Sequence, residues 1–284
     1  MDYAKDVQQI VTDQFKGSTF RIAPRDLVGR VRAQRPDLPA TEIHLAIKHL
    51  VQQGILIYSH RFSTTQLEFN FQRCVGITSR IALCPENFDP VSMDFEVVIR
   101  LSCGEAFGLG DHPTTRLALR GIEIALDGQA DMPKTTTMKA LDIGTGSGVL
   151  ALAAAKLGVA QTCAIDHDTV ARHEAKANVA LNGLSAHVEV AATSLEEMPA
   201  KAYALIMANL RPPTLRAMFG QMARVARPPS TWVLSGFRSA EGAILSDFLQ
   251  RKGASILWRE TENEWAAMVA RLNSEALGGI GKGV

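Results

Sequence analysis

A glycine-rich turn after an apolar segment constrains this sequence more than any other feature. The segment LDIGTGSG (residues 141–148) passes from apolar residues into closely spaced glycines and then into VLALAAA, which is typical of a helix. Glycine allows the backbone to turn sharply at a strand end and to approach a ligand closely. The spacing is G-x-G-x-G, whereas the dinucleotide fingerprint is G-x-G-x-x-G. The segment therefore predicts a strand, a ligand-binding turn formed by Gly144, Thr145, Gly146 and Gly148, and a helix.

Strand-like and helix-like segments alternate around this turn. Repeated βα units predict an α/β fold with a parallel sheet covered by helices on both faces. The last two strand-like segments, near residue 256 and at residues 266–270, have no helix between them, so we expect an antiparallel edge. The strands expected before them are residues 138–143, 162–166, 188–191, 204–209 and 231–235.

An acidic residue, Asp166, ends the second of these strands. The G-x-G-x-G spacing resembles that of S-adenosylmethionine sites, where a carboxylate at this place accepts hydrogen bonds from both ribose hydroxyls. Acidic residues at strand ends are common, but together with the glycine turn this one indicates nucleoside binding. We expect Asp142 near the ligand's ammonium group, directly or through water, and His167 near the adenine.

Polar residues also follow the third and fourth predicted strands. Thr193 is placed to reach the adenine with its hydroxyl, and capping of the loop is the alternative. Asn209 ends the fourth strand and is followed by Leu210. Because the carboxyl ends of central strands face the ligand crevice, we expect Asn209 beside the reacting group. The alternative is a turn-forming asparagine before a helix that starts with proline.

The segment FGLGDHPTT (residues 107–115), here called the arm, precedes another predicted helix. By itself it is an ordinary helix entry with Thr114 or Thr115 near the N-cap. A glycine-containing arm ahead of the first strand can also fold over a cofactor as a lid. Phe107, Gly108 and His112 then become candidate site residues along with the two threonines.

The N-terminal segment, residues 1–73, predicts three helices and a two-stranded hairpin, which resemble a winged helix-turn-helix. Its arginines suggest DNA binding, but most lie before or within the second helix, whereas base readout would come from the third. We therefore favour substrate docking or dimerisation over DNA binding. Residues 74–106 are expected to be connector strands, 107–272 the main domain and 273–284 a disordered tail.

Composition limits the class of protein. A hydrophobic fraction of 46% over 284 residues can fill two cores, and a formal net charge of +1 does not imply a polyanionic partner. The four cysteines form no C-x-x-C pair and have no histidine at metal-ligand spacing, so we expect free thiols, no metal and a reducing, cytoplasmic compartment. No apolar run approaches the ~20 residues of a membrane span, so no membrane partner is expected.

Four segments in order resemble the PrmA family, whose members methylate amino groups of the eleventh large-subunit ribosomal protein. The resemblance implies a seven-stranded, Rossmann-like class I methyltransferase sheet, S-adenosylmethionine as cofactor and a protein substrate, for which a ribosomal protein is the candidate. It also implies cofactor contacts at Thr115, Gly144, Asp166 and Asn209. The segments are residues 107–115, 141–148, 164–166 and 208–210.

The chain departs from the family pattern in three places. Leu109 and Asp111 stand where the family arm has threonines, and Asn209-Leu210-Arg211-Pro212 replaces an asparagine-isoleucine-leucine run. The family's ferredoxin-like docking domain has no counterpart before residue 74. These changes leave cofactor use untouched and open the identity of the substrate.

For an amine acceptor, Asn209 and the Leu210 carbonyl are candidates for orienting the nucleophile, and His112 or Asp111 for helping its proton leave. Two rivals remain. A methyltransferase acting on nucleic acid or a small molecule would use the N-terminal segment as its docking surface, and a non-enzymatic regulator would keep only the cofactor pocket. The sequence leaves the oligomeric state open.

Overall fold

The computed structural model describes residues 3–15, 21–61, 64–70, 73–87, 95–102, 108, 110–127 and 137–273. The chain divides into two compact units, Met1–Val75 and Gly76–Val284. None of the helices in the described part is long and apolar enough to span a membrane.

The first unit packs three helices against a three-stranded antiparallel sheet with the order β1-β3-β2. Its core is formed where the helical apolar spacing predicts, for example at Leu27, Val31, Ile43 and Ile47. The short strand β1 was not predicted, and the winged-helix assignment remains a prediction. The elements are α1 (Tyr3–Asp13), β1 (Arg21–Ile22), α2 (Pro24–Gln34), α3 (Ala40–Gln52), β2 (Leu56–Arg61) and β3 (Thr64–Phe69).

The remaining elements build a large and a small sheet with helices. They are β4 (Val75–Gly76), β5 (Ile81–Pro85), β6 (Val97–Leu101), α4 (Pro113–Leu126), β7 (Lys139–Ile143), α5 (Val149–Lys156), β8 (Gln161–Ile165), α6 (Thr169–Leu181), β9 (Val188–Ala191), β10 (Tyr203–Asn209), α7 (Pro212–Val225), β11 (Ala226–Arg238), α8 (Ser239–Arg251), β12 (Ala254–Glu262) and β13 (Trp265–Leu272).

The large sheet has seven strands in the order β12-β13-β11-β10-β7-β8-β9. β13 is antiparallel to both neighbours, and the pairs from β11 to β9 are parallel. The predicted α/β fold, with seven strands and an antiparallel pair at its edge, is confirmed. Strands with two covered faces need apolar side chains throughout, and β10 is buried from Tyr203 to Ala208. Because β7, β8, β9 and β10 are parallel, the residues that follow them lie together at the carboxyl ends of the strands.

The segment predicted as a connector contains a small sheet, β4-β5-β6, in which β5 and β6 are parallel. The prediction of free thiols is wrong for two cysteines, because Cys74 and Cys84 are disulfide-bonded. Cys163 is a free thiol, and Cys103 lies outside the described residues. The predicted disordered tail also lies outside them, except for Asn273.

Candidate active site

The glycine-rich turn lies at the carboxyl end of β7 and leads directly into α5. The amide of Gly144 donates to the carbonyl of Ile165 at the end of β8, at 2.9 Å. Gly144 has a φ of +71°, and a Cβ atom there would lie 2.9 Å from Cδ2 of Leu210. A side chain at this position would therefore be strained and would displace the residue that follows β10. Gly146 and Gly148 also have positive φ angles.

Asp142 lies beneath the turn and has no exposed surface. Its Oδ2 atom accepts hydrogen bonds from Oγ1 of Thr145 at 2.6 Å and from the amide of Ala151 in α5 at 3.2 Å. Burial raises the pKa of Asp142 to about 7, although both hydrogen bonds lower it. The second carboxylate oxygen, Oδ1, is buried without a hydrogen-bond partner among the described residues. Asp142 thus shapes the turn and retains an acceptor for a ligand.

Asp166 follows β8 and contacts the same turn. Its Oδ2 atom accepts from the amide of Gly146, and its Oδ1 atom accepts from the amide of Asp168, both at 3.0 Å. Each carboxylate oxygen has a second lone pair, so both can still accept hydrogen bonds from a diol. His167 is fully exposed, with Nδ1 3.6 Å from Oδ1 of Asp166.

Thr193 follows β9, which is the neighbour of β8 in the sheet. The last residue of β9, Ala191, pairs with Ile165, so the segments that contain Thr193 and Asp166 leave the sheet side by side. Thr193 is half-buried. The structure therefore places it at the same edge as the glycine turn.

Asn209 is the last residue of β10. The strand register pairs it with Ser235 of β11, and it pairs the preceding Ala208 with Ile143, the last residue of β7 before the glycine turn. The Oδ1 atom of Asn209 is buried and has no hydrogen-bond partner among the described residues. The amide of Leu210 donates to the carbonyl of Ser235 at 3.0 Å. Sheet hydrogen bonding thus continues past Asn209 and orders the backbone that follows it.

A second close approach holds the Leu210 backbone in place. Gly236 has a φ of +92°, and a Cβ atom there would lie 2.7 Å from both the nitrogen and the oxygen of Leu210. These are backbone atoms, which cannot move aside as the tip of a flexible side chain can. Glycine at this position is therefore required for the observed orientation of the Leu210 carbonyl.

The described part of the arm packs against the glycine-rich turn. Oγ of Ser147 donates to the carbonyl of Gly108 at 3.1 Å. Asn178 of α6 supports this contact, because its Nδ2 atom donates to the carbonyl of Ser147 and its Oδ1 atom accepts from the amide of Ser102, both at 2.9 Å. Phe107 lies outside the described residues.

The arm continues into α4 through a capped helix start. His112 is the N-cap residue, and its Nδ1 atom accepts from the amide of Thr114 at 3.3 Å. The carbonyl of Thr114 accepts from Oγ of Ser235 at 2.9 Å, which links α4 to β11. Thr115 is completely buried, and its Oγ1 atom has no hydrogen-bond partner among the described residues. Thr114 and Thr115 were expected near the N-cap, and both lie in the first turn of α4 after the N-cap residue His112.

Three of the predicted site residues thus carry buried oxygen atoms that have no hydrogen-bond partner in the part of the chain that the structure describes: Thr115, Asp142 and Asn209. Leaving a buried polar atom unpaired costs about 1–3 kcal/mol. These atoms are acceptors, so a ligand with an ammonium group and hydroxyl groups would satisfy them. The donor set of S-adenosylmethionine fits these residues.

A tryptophan next to the arm was not among the candidate residues. The rings of Trp265 and His112 meet edge to face, with centroids 4.8 Å apart. The guanidinium carbon of Arg238 lies 4.2 Å from the centroid of the Trp265 ring. Two residues with positive φ, Asn263 and Glu264, form the turn that brings Trp265 to this place. His112 therefore packs against the aromatic ring of Trp265, which in turn contacts the cationic group of Arg238.

Ser147 and Asn178 were missed because their contacts join segments far apart in sequence. The buried Arg116 was also missed. The visible signal was a pair of arginines, Arg116 and Arg120, about one helical turn apart on a helix rich in apolar residues. Long-range partners of this kind are not encoded in local periodicity.

Two open cavities, of about 710 and 370 Å³, lie at the amino ends of the parallel strands, opposite the glycine turn. They share Lys139 and Gln161, the first residues of β7 and β8. Neither cavity is lined by a predicted site residue. In open α/β sheets ligands bind at the carboxyl ends of the strands, so we assign the functional site to the edge with the glycine turn.

The seven-stranded sheet with one reversed strand, and a glycine turn after the central β7, define the class I methyltransferase fold. A solved structure of this kind, the ribosomal protein L11 methylase from Lactobacillus delbrueckii subsp. bulgaricus, superposes with a TM-score of 0.60 at 30% identity. The likeness covers 71% of this chain and 99% of that one. The family described as "Ribosomal protein L11 methyltransferase (PrmA)" matches residues 68–273. The chain belongs to this family.

Curated relatives agree with this assignment. The ribosomal protein L11 methyltransferase of Geotalea uraniireducens is 33% identical over 205 residues, which are 71% of this chain and 65% of that protein. The protein of the same name from Pelobacter propionicus is 36% identical over 252 residues, 84% of this chain and 79% of that one. The chain thus spans less than two thirds of the first relative. The family match begins at residue 68, so α1 to α3 lie outside it.

Proposed function

We propose that this protein is an S-adenosylmethionine-dependent methyltransferase that methylates amino groups of a ribosomal protein. The supporting observation is the convergence of Asp142, Asp166 and Asn209 on one glycine turn, in a chain of the PrmA family. The names of the relatives support the substrate class.

We assign the cofactor to the carboxyl edge of the sheet. S-adenosylmethionine supplies a methyl group bonded to a positively charged sulfur, and the acceptor attacks that carbon in line. Asp166 binds the ribose hydroxyls, and Oδ1 of Asp142 binds the ammonium group. Thr115 and the glycine turn enclose the ligand, and His167 and Thr193 lie on the adenine side.

The acceptor is a lysine or another amine, and it must be neutral to attack. Removing its proton at pH 7 costs roughly 5 kcal/mol for an ordinary lysine. Oδ1 of Asn209 and the Leu210 carbonyl accept hydrogen bonds from the amine, and closure of the site disfavours its charged form. The ordered backbone after Asn209 makes this orientation reproducible from one turnover to the next.

His112 has a different role in this proposal from the one its sequence position suggested. Its Nδ1 atom already accepts from the amide of Thr114, so protonation there would remove the helix cap. We therefore assign His112 to positioning the arm and let the proton leave to water.

Residues 107–272 form the catalytic domain in this proposal, residues 74–106 a connector, and residues 1–73 a docking or dimerisation domain. The location would be the cytoplasm, where ribosomal proteins are modified. This rests on the substrate class, since Cys74 and Cys84 are disulfide-bonded and the argument from free thiols therefore does not hold.

The test combines cofactor binding with methyl transfer. Calorimetry with S-adenosylhomocysteine should show binding, and label from methyl-labelled S-adenosylmethionine should enter purified ribosomal protein L11. In a whole lysate the labelled band should disappear with protease and resist nuclease. A nuclease-sensitive product would refute the protein substrate.

Asn209→Ala separates the two roles of the site. We expect methyl transfer to fall roughly 100-fold through misorientation of the amine, while the dissociation constant for S-adenosylhomocysteine changes by less than about threefold. Asn273→Ala, at an exposed position, is the matched control. Equal losses of binding and transfer in Asn209→Ala would contradict the orienting role.

A further inference from the structure

Two arginines of α4 share one buried carboxylate. Nε of Arg116 donates to Oε1 of Glu262 at 2.9 Å, and Nη2 of Arg120 donates to Oε2 of the same residue at 3.0 Å. Arg120 also donates to Glu260 at 2.7 Å. Arg116 and Glu262 are each only 1% exposed. This network joins α4 to β12 at the antiparallel edge of the sheet.

Such a network is a poor source of stability. Removing charges from water costs several kcal/mol per ion, and well-packed apolar side chains of similar volume are often as stable or more so. Burial raises the pKa of the Glu262 carboxyl, and the two guanidinium groups oppose this rise. The geometry that the network imposes is therefore the more informative property.

The network also contacts the arm, which leads to the proposed cofactor site. Nη1 of Arg116 donates to the carbonyl of Gly110 at 2.7 Å. Gly110 has a φ of +92° and lies just before the N-cap residue His112. The amide of Thr115 in turn donates to the carbonyl of His112 at 3.2 Å. One guanidinium group thus connects β12 to the arm. The same turn of α4 carries the Thr115 hydroxyl, which has no hydrogen-bond partner among the described residues.

We propose that Arg116 is a positioning residue for the cofactor: anchored by Glu262, it holds the Gly110 carbonyl and so fixes the segment from Gly110 to Thr115 beside the ligand. Arg120 anchors the same carboxylate and also binds Glu260 of β12. The inference rests on the proposed function, because the arm has a ligand to enclose only if the cofactor binds there.

The matched variants are Arg116→Lys and Arg120→Lys. Each keeps a positive charge but loses the planar fork that binds a carboxylate. Both should lower the melting temperature. We expect Arg116→Lys to raise the KM for S-adenosylmethionine roughly tenfold with kcat changed less than about threefold, and to weaken S-adenosylhomocysteine binding equally, because the loss is in binding. For Arg120→Lys the KM should remain within about twofold. Equal KM values in the two variants would overturn the proposal.

A second variant separates positioning from stability if Arg116→Lys does not fold. Arg116→Met/Glu262→Leu replaces the ion pair with apolar side chains of similar length and leaves Arg120 paired with Glu260. It should retain the melting temperature, raise the KM and speed hydrogen exchange of the Thr115 amide. An unchanged KM and exchange rate would show that the arm does not need Arg116. If the wild-type chain itself fails to bind S-adenosylhomocysteine, the proposed function fails instead.

Discussion

Asp142→Asn is the substitution whose consequences can be worked out furthest. The side chains have the same shape, and the amide oxygen can accept the hydrogen bonds that Oδ2 now accepts from Thr145 and Ala151. The amide NH2 group then occupies the position of Oδ1, the buried acceptor that has no hydrogen-bond partner within the described part of the chain. An ammonium group arriving there would meet a donor in place of an acceptor.

The free energy of unfolding should move in the opposite direction to ligand affinity. The folded-state pKa of Asp142 is raised to about 7 from 3.8, so its stabilising contribution is complete below pH 4 and is lost as pH rises through 7. This rise of about three pKa units corresponds to roughly 4 kcal/mol. At pH 8 the ionised carboxylate therefore destabilises the ligand-free protein by about that amount. Asparagine does not ionise, so the variant should be more stable than the wild type, with an advantage that grows from pH 5 to pH 8.

Cofactor affinity should fall because a hydrogen bond to a charged group contributes about 1.5–3 kcal/mol, or roughly 10- to 100-fold in the dissociation constant. Wild-type affinity for S-adenosylhomocysteine should also rise as pH increases towards 7, since the bound ammonium group favours the ionised carboxylate. The variant should lack this dependence. Calorimetry at several pH values measures both effects.

The control ligand is 5′-methylthioadenosine, which retains the nucleoside but lacks the ammonium group. Its affinity should be nearly the same for wild type and variant at every pH. A parallel loss for both ligands would refute the assignment, because it would mean that the substitution had damaged the turn. A variant less stable than the wild type at pH 8 would refute the account of Asp142 ionisation.

Two further substitutions test the geometry of the site. Gly236→Ala should destabilise the protein by roughly 2 kcal/mol in thermal melts and lower kcat at least about tenfold, because its Cβ atom would meet the Leu210 backbone at 2.7 Å; unchanged kcat would mean that the Leu210 carbonyl does not position the acceptor. Asp166→Asn should weaken S-adenosylhomocysteine roughly 10- to 100-fold in calorimetry, since an amide cannot accept from the Gly146 and Asp168 amides and from a diol together; an unchanged dissociation constant would remove Asp166 from the ribose site.

The sequence predicted the large sheet well because most of its strands contain a short apolar segment between recognisable turns. The functional edge follows from the same pattern, since the ends of parallel strands coincide whatever lies between them. The sequence alone therefore predicts that Gly144, Asp166 and Asn209 lie close together. The identity of each helix cap was less predictable, as His112 shows, because several side chains with an acceptor near the backbone can cap a helix.

Contacts between segments that are far apart in the sequence could not be predicted from local sequence patterns. Nothing near Arg116 in the sequence indicates that its partner is Glu262, since that pairing depends on how β12 folds back beside α4. The cysteines were misinterpreted for a related reason: spacing excluded metal motifs but could not show that Cys74 and Cys84 form disulfide bonds.

The hydrogen bonding of its backbone amides distinguishes the glycine turn from a phosphate-binding loop. In such loops the backbone amides point at the anion and remain available to it. Here the Gly144 amide donates to Ile165, the Gly146 amide to the Asp166 carboxylate and the Gly148 amide to Thr145. What remains for a ligand at this edge includes the buried acceptors of Asp142 and Asn209. The glycine amides of this site are paired, and its buried oxygens lack partners among the described residues. Such a site suits a ligand that brings donors and positive charge, which is the chemistry of a sulfonium amino acid joined to a nucleoside.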